Sequence, residues 1–396
     1  MLAATARVAC DIDLAEECVQ DAYVSALEAW KRVGVPDNPG AWLTTAARRK
    51  AIDALRRDQT LRAKLPLLVE PVPDEGVELF DGGTIPDDRL RLVFTCCHPA
   101  LAREAQVALT LRLVCGLTTT EIASAFLVSE PTMAARVTRA KKKISGARIA
   151  YRVPESHELP DRLDAVLTVV HLLYTTGHTA PAGATLVRPD LVARAIDLAR
   201  MLRDLMPDEG EVRGLLALLL LTNARASTRT APDGRLLLLE EQDRSQWDRA
   251  TIEEGCRLVL DALHAGRPGR FTLQAAIAAV HAEAPSYAET DWRQLLGLYD
   301  ALLQRWPSPV VALNRAVPVA MVDGPAAALA VVDDIVADGR LYGYRYLAAT
   351  RADMLRRLGR LGEAADEYRQ ALGLAENDAE RAFLSRRLAE CAGPSR

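Results

Sequence analysis

Residues 116–144 read GLTTTEIASAFLVSEPTMAARVTRAKKKI, and this stretch holds two short amphipathic patterns separated by a tight turn. The apolar positions recur at helical spacing: Ile122, Ala123 and Phe126, then Met133, Val137, Ala140 and Ile144. Ser129 is suited to cap the second helix, and Pro131 falls in its first turn, where a missing N–H costs nothing. Two such helices predict a helix-turn-helix, which lays its second helix in the DNA major groove.

The second predicted helix is strongly cationic. Its basic residues are Arg136, Arg139, Lys141, Lys142 and Lys143, and only Glu130 opposes them. Arg136, Arg139 and Lys143 share one exposed flank of the helix, beside Ala135 and Lys142. A cationic face of this kind neutralises phosphates and makes binding strongly salt-dependent. Two alternatives to DNA binding remain at this point: a basic helix that is merely solvated, and a basic helix that lies on a membrane surface.

The overall composition describes a globular protein with uneven charge. At 396 residues the chain is long enough for two or three domains, and its net charge is only -4. The charge nevertheless alternates along the chain. Residues 1–40 are acidic on balance, 41–64 strongly basic, 65–88 acidic and 120–152 basic again. Two basic segments separated by an acidic one indicate nucleic-acid binding better than the net charge does.

No catalytic, metal or cofactor site is predicted, so the chain is not expected to be an enzyme. Seven cysteines show no C-x-x-C spacing, and no glycine-rich phosphate loop is present. In Cys96-Cys97-His98 we expect buried cysteines that act as small apolar residues, because metal ligands prefer spacings of two to four. A redox role for them stays open. His171 and His178 are expected to be packing and turn residues.

Two observations predict a cytoplasmic protein without a membrane segment. Acidic residues occur from Asp11 onward, which is unlike a signal peptide. Residues 165–187 lack Lys, Arg, Asp and Glu, but their apolar part is about half of the roughly twenty residues that a membrane span needs.

Two further helices are predicted near the N-terminus. Residues 11–30 form one pattern with apolar Leu14, Cys18, Ala22, Ala26 and Trp30. The loop VGVPDNPG (33–40) separates it from a helix that starts near Ala41. The broad apolar side of this second helix contains Leu43, Ala47, Ala51 and Leu55, with Trp42, Ala46 and Ile52.

These stretches together resemble a known family. The pairing of DLAEECVQDAYVSALEAW (13–30) with AWLTTAARRKAIDALRR (41–57), followed by residues 116–144, is similar to bacterial sigma factors of the extracytoplasmic-function type. DDRLRLVFTCCHPALAREAQVALTLRLVCGLTT (87–119), with a long helical part after it, resembles the subgroup that carries a TPR-like extension.

The resemblance implies an all-α fold in four parts. These are sigma region 2 at 1–62, an acidic linker at 63–87, sigma region 4 at 88–150, and a helical extension with TPR-like repeats at 155–396. The family's first helix is usually longer than LAATARVAC allows, so we expect a truncated helix or a start codon assigned late. The partners implied are core RNA polymerase and promoter DNA, with no cofactor.

The same resemblance implies roles for individual residues. Glu16, Glu17, Gln20 and Asp21 match the surface that docks on polymerase. The loop 36–40, which includes Asn38, matches the one that traps a base flipped from the −10 element. Six residues match the helix that follows the adjoining duplex: Arg48, Arg49, Lys50, Asp53, Arg56 and Arg57. The helix from Thr132 to Lys143 would read the −35 element, with Ala135 limited to apolar contacts such as a thymine methyl.

The C-terminal part is predicted to contain helical repeats, clearest at 290–390. Gly324 and Gly359 are 35 residues apart, close to the period of about 34 for a TPR. Such arrays bind peptides or proteins on a concave face. We expect the array to regulate the sigma factor in cis by contacting polymerase or a partner protein. A helical domain that only stabilises the DNA-binding half is the alternative.

Two other functions remain open from the sequence. A helix-turn-helix regulator could act without core polymerase, although it would have no use for the helix pair at 11–57. A TPR interaction scaffold with incidental basic helices is the second alternative.

Overall fold

The computed structural model describes residues 1–64, 88–126, 128–147, 149, 151–155, 157–179, 187–231 and 235–391. The predicted acidic linker therefore lies outside the described residues from position 65 onward. The chain divides into two compact units, residues 1–170 and 171–396. The described residues contain 18 α-helices and no β-strand, apart from one isolated bridge between Thr230 and Leu236. The predicted all-α class is confirmed.

The first unit consists of short helices and one long pair. Its helices are α1 (Leu2–Ala9), α2 (Ile12–Val33), α3 (Pro39–Lys64), α4 (Asp88–Cys96), α5 (Arg103–Leu109), α6 (Thr119–Ala125) and α7 (Glu130–Gly146). A π-helical turn, Thr110–Val114, continues α5. The helix α8 (Leu159–His178) begins in this unit.

Small side chains form the core between the first three helices. Ala6, Ala15, Ala22, Ala47 and Ala51 are almost completely buried. Alanine lets helix backbones approach closely, and the resulting dispersion contacts stabilise the bundle. The predicted apolar side of α3 is therefore confirmed at Leu43, Ala47 and Ala51.

The prediction for Ile52 is wrong, because this side chain is 39% exposed. It follows the buried Ala51 directly, so on a helix it points to a different side.

The second unit is built around a helix whose central part is completely buried. Its first helices are α9 (Pro189–Leu205), α10 (Gly210–Asn223), α11 (Arg249–His264) and α12 (Arg270–Glu283). Every residue of α10 from Gly214 to Leu221 is buried. A helix that is apolar on all sides must be surrounded by others, and α10 packs against α9, α11 and α12.

Buried arginines and histidines connect the helices of this unit. Arg244 donates 2.7 Å hydrogen bonds to the carbonyls of His281 and Ala284, which satisfies the end of α12. His171 packs edge to face on Phe271, and burial lowers its pKa to about 4. Together with the stacking of His178 on Tyr174, this agrees with the packing roles expected for both histidines.

Six helices complete the second unit. They are α13 (Trp292–Arg305), α14 (Pro309–Val322), α15 (Pro325–Asp338), α16 (Arg345–Arg357), α17 (Leu361–Leu374) and α18 (Asp378–Cys391). Gly324 and Gly359 both adopt a positive φ, of 92° and 76°, in the turns that precede α15 and α17. Between these helices, Arg351 of α16 pairs with Asp333 of α15 and with Glu367 of α17.

The close crossing of α10 and α12 generates a stability prediction. A Cβ added at Gly214 would lie 2.7 Å from the backbone N and Cα of Thr272. Gly214→Ala should therefore lower the free energy of unfolding by about 1–3 kcal/mol, because the backbone of α12 has to move. Thermal unfolding of the full chain measures this.

Gly297 provides the matched control. It lies inside α13, and an added Cβ would meet nothing within 4 Å. Gly297→Ala should raise the free energy of unfolding by about 0.5–1 kcal/mol through helix propensity. Equal effects of the two substitutions would contradict the crossing geometry.

Candidate nucleic-acid interface

The turn before the first helix of the helix-turn-helix is fixed by a capping box. The Glu121 carboxylate accepts hydrogen bonds from the Thr118 backbone N–H at 2.6 Å and from its hydroxyl at 2.7 Å. In return, the Thr118 hydroxyl accepts from the Glu121 N–H at 3.2 Å. Gly116, with φ of 73°, makes the preceding bend that few other residues tolerate. These local bonds start α6 at its observed position.

The second helix, α7, begins at the predicted cap and buries the predicted residues. The Ser129 side chain accepts from the Thr132 N–H, and Pro131 lies in the first turn. The buried residues of α7 are Met133, Val137, Ala140 and Ile144. The predicted apolar row is confirmed, and it determines which side chains remain outside.

The opposite side of α7 presents unpaired cations. Arg139, Lys142 and Lys143 are exposed and Arg136 is half-buried. Within the described part of the chain, none of these four forms an ion pair with a carboxylate. Thr132 and Ala135 are exposed on the same helix. The predicted contact residues of α7 are therefore accessible together.

A second cationic surface lies on α3, and a cavity lies beside the N-terminal end of this helix. Asn38 caps this helix, since its side-chain oxygen accepts from the Ala41 N–H at 3.0 Å. Trp42 meets Trp30 edge to face, with ring centroids 5.6 Å apart. The cavity beside them has a volume of about 490 Å³ and is lined by Pro36, Asn38, Ala41, Trp42, Thr45, Ala46 and Arg49.

This lining has the chemistry for an unstacked base. An indole can stack on the base, while an amide and a guanidinium can hydrogen-bond with its edge or with the neighbouring phosphate. The sequence had assigned Trp42 only to the apolar side of α3. The available signal was its position shortly after the loop 36–40, which is predicted to trap a base.

The predicted DNA-binding residues of α3 differ in their environment. Arg49, Asp53, Arg56 and Arg57 are exposed. Arg48, by contrast, lies 3.6 Å from the Asp88 carboxylate, and Lys50 lies 3.7 Å from that of Asp21. These two cations are thus partly neutralised inside the first unit, and the exposed guanidinium groups of Arg49 and Arg57 are more open to a nucleic-acid backbone.

The residues predicted to dock on polymerase also differ in their environment: three are exposed and one is ion-paired within the first unit. Glu17, Gln20 and Asp21 are exposed on α2, whereas Glu16 is paired with Lys141 of α7 and lies 3.9 Å from Arg112. Three large exposed apolar residues continue this surface, and the sequence analysis missed them: Tyr23, Val24 and Leu27. Their spacing from Gln20, off the buried row of α2, was the signal for an apolar docking face.

The Cys96-Cys97 pair is buried, as expected. Both side chains are inaccessible, and the Cys97 thiol lies 3.5 Å from the Thr110 hydroxyl. Burial raises the pKa of Cys97 to about 11, so the thiolate that metal binding or oxidation requires is disfavoured. Among the described residues, no group of three or more His, Cys, Asp or Glu could hold a metal ion. In the same described residues, no helix combines the length and the hydropathy that crossing a membrane requires.

Comparisons with known proteins match regions of both units. The profile of sigma-70 region 2 matches residues 2–60, and that of sigma-70 region 4 matches residues 91–144. A family of unknown function, DUF6596, matches residues 162–263. An uncharacterized protein of Rhizobium meliloti (strain 1021) is 43% identical over 382 residues, which cover 96% of this chain and 90% of that protein.

The two sigma profiles fall on the halves of the first unit that carry the cavity on α3 and the cations on α7. The match to the relative extends the likeness through the helical second unit. The chain belongs to the bacterial sigma-70 family, as a sigma factor of the extracytoplasmic-function type with a further helical domain after region 4.

Proposed function

We propose that this sigma factor directs core RNA polymerase to promoters through two separate contacts, with α7 on the −35 element and α3 on the melted −10 element. One observation carries the proposal. The first unit presents two exposed cationic helices, and the start of α3 borders a base-sized cavity lined by Asn38, Trp42 and Arg49. Duplex reading and strand capture thus have different surfaces. The function is binding and positioning; the chain's own residues supply no chemical step.

The −35 contact follows from the orientation of α7. A recognition helix reads base edges with a few side chains while others hold phosphates. Arg139, Lys142 and Lys143 provide the phosphate contacts, together with Arg136. Thr132 and Ala135, near the N-terminal end of α7, face the bases. Ala135 suits a thymine methyl, so hydrogen-bond readout rests on few residues.

The −10 contact uses the cavity at the start of α3. A base that leaves the duplex stacks against Trp42, while Asn38 and Arg49 bind its edge and backbone. Arg56 and Arg57, farther along the helix, follow the adjoining strand. Holding an extruded base offsets part of the unpairing cost and shifts the equilibrium toward the melted promoter.

Docking on core polymerase is assigned to α2. Its exposed face combines the polar Glu17, Gln20 and Asp21 with the apolar Tyr23 and Leu27. Interfaces bury an apolar centre inside a polar rim, and this face has both parts. Glu16 borders the same face of the helix.

The second unit is proposed to regulate the sigma factor in cis. Its helix pairs α13–α18 follow TPR-like spacing, and such arrays leave one face free for a peptide, a protein partner or polymerase. The start of α8 packs on region 4: the Arg162 guanidinium donates to the Phe94 carbonyl at 2.7 Å. Any test of the extension must therefore keep α8.

Leu27→Asp should abolish the formation of holoenzyme, because it places a charge in the apolar centre of the docking face. Leu27 is 64% exposed, so the substitution leaves the core of the first unit intact. Binding to purified core and run-off transcription measure the effect. Leu260→Asp, at a similarly exposed leucine of α11, should leave both readouts unchanged.

Arg136→Ala and Arg139→Ala should each weaken promoter binding by holoenzyme across sequences. Each should flatten the slope of log K against log salt by about one unit per lost phosphate contact. Arg194→Ala, an exposed arginine of α9, is the control. An unchanged slope in the α7 variants would remove these residues from the interface.

Truncation tests the role of the extension. A chain that ends after His178 keeps α8. One that ends after Arg152 loses both bonds between α8 and region 4, from Arg162 to the Phe94 carbonyl and from Arg103 to the Ala165 carbonyl. The longer form should bind core but show altered transcription from its promoter. If it transcribes as well as the full chain, regulation in cis is excluded. The shorter form measures how far loss of the α8 contacts alone, through destabilisation of region 4, lowers transcription.

A further inference from the structure

Three arginines lie in the connection between α10 and α11, inside the second unit. They are Arg225, Arg229 and Arg244. Arg229 is only 9% exposed and Arg244 only 7%, whereas Arg225 is half-buried. Among the described residues, no carboxylate forms an ion pair with any of the three. The second unit therefore holds buried positive charges that lack a paired counter-charge.

A buried indole brings two of these arginines into the same region. The Trp247 indole N–H donates to the Thr228 hydroxyl at 2.9 Å, and the Arg244 guanidinium lies 4.7 Å from the centroid of the same ring system. Thr228 directly precedes Arg229, so this contact fixes the two ends of the connection against each other. Arg229 in turn donates to the His178 carbonyl at the end of α8.

The charges of the three arginines act on one another and on a neighbouring histidine. Burial, followed by repulsion from Arg225, lowers the pKa of Arg229 to about 10. Burial and the charge of Arg244 likewise lower the pKa of Arg225. Burial and the charges of Arg225 and Arg244 lower the pKa of His281 to about 4, so this ring is neutral at physiological pH. Like charges in a poorly solvated place destabilise the free protein.

Capping of helix ends accounts for only part of this cluster. Arg244 donates through Nη1 to the two carbonyls at the end of α12, but its Nη2 is buried without a hydrogen-bond partner. The Nδ1 of His281 is buried and unpartnered in the same way. In the part of the chain that the structure describes, the Arg225 guanidinium donates no hydrogen bond at all. Buried polar nitrogens are normally paired, so these groups indicate a place for an acceptor.

We propose that Arg225, Arg229 and Arg244 form a binding site for a phosphate group, either free phosphate or the monoester of a small molecule. A guanidinium can hydrogen-bond with two phosphate oxygens at once, and a phosphate dianion supplies three strong acceptor oxygens. A single carboxylate would leave most of the positive charge uncompensated.

Burial limits the size of this ligand. Because Arg229 and Arg244 are almost completely covered, a duplex nucleic acid has no access to them. Arg225 is the accessible member of the cluster, and a small anion meets it first. The three arginines belong to the second unit, so the proposal is independent of the function assigned to the first.

Binding of phosphate to the full chain tests the site. Isothermal titration calorimetry at constant ionic strength, without DNA or polymerase, should show saturable binding of inorganic phosphate or of glycerol phosphate. Tighter binding of glycerol phosphate assigns a monoester, and tighter binding of inorganic phosphate assigns the free ion. Absence of saturable binding by both, or equally tight binding of succinate, overturns the proposal.

Arg225→Gln locates the binding. This substitution removes a repelling charge and breaks no hydrogen bond within the described ranges, so the melting temperature in phosphate-free buffer should rise by about 2–4 °C. The affinity for phosphate should fall about tenfold or more, because a charge-assisted contact is lost. An arginine with a purely structural role would lower the melting temperature instead. An unchanged phosphate affinity would overturn the proposal, since the anion would then bind elsewhere.

Two further variants complete the test. Arg194→Gln removes the same charge at an exposed position of α9 and should change neither the melting temperature nor the phosphate affinity. Arg225→Lys keeps the charge but loses the two-pronged geometry, so it should weaken phosphate binding by several-fold. It carries the test if Arg225→Gln does not fold, and wild-type affinity in Arg225→Lys would then count against the site.

Discussion

The burial of one apolar row on α7 fixes the rotation of this helix about its own axis. Met133, Val137, Ala140 and Ile144 are fixed against α5 and α6, and a helix of 3.6 residues per turn then has no freedom to rotate. The direction of each remaining side chain follows from its distance to this row. Arg139 and Lys143 point away from it, so their charges stay in solvent and available to phosphates.

The same constraint gives three consecutive lysines different roles. Lys142 and Lys143 are exposed, whereas Lys141, four residues after the buried Val137, turns toward the carboxylates of α2. Successive residues on a helix differ by about 100° in direction, so neighbouring cations cannot share one partner. A run that looks uniform in the sequence is thus divided between an ion pair inside the first unit and an exposed surface.

The local structure could be predicted well from the sequence, and the long-range pairing could not. The helix at 11–30, the cap at Ser129 and the buried row of α7 all follow from periodicity and capping, and all are confirmed. The pairing of Arg48 with Asp88, and of Lys141 with Asp13, joins residues far apart in sequence. No periodic pattern encodes such pairs, because they depend on how finished helices pack.

The predicted docking face on α2 could also be identified only in part from the sequence. The polar residues of α2 were identified by resemblance, but Tyr23 and Leu27 lie off the buried row and were not assigned, although helical spacing places them beside Gln20. Glu16 was assigned and yet lies against α7. An exposed apolar patch has a cost for the free protein. In the proposed complex polymerase would cover the patch, so the feature that is unfavourable in the free chain would favour the bound one.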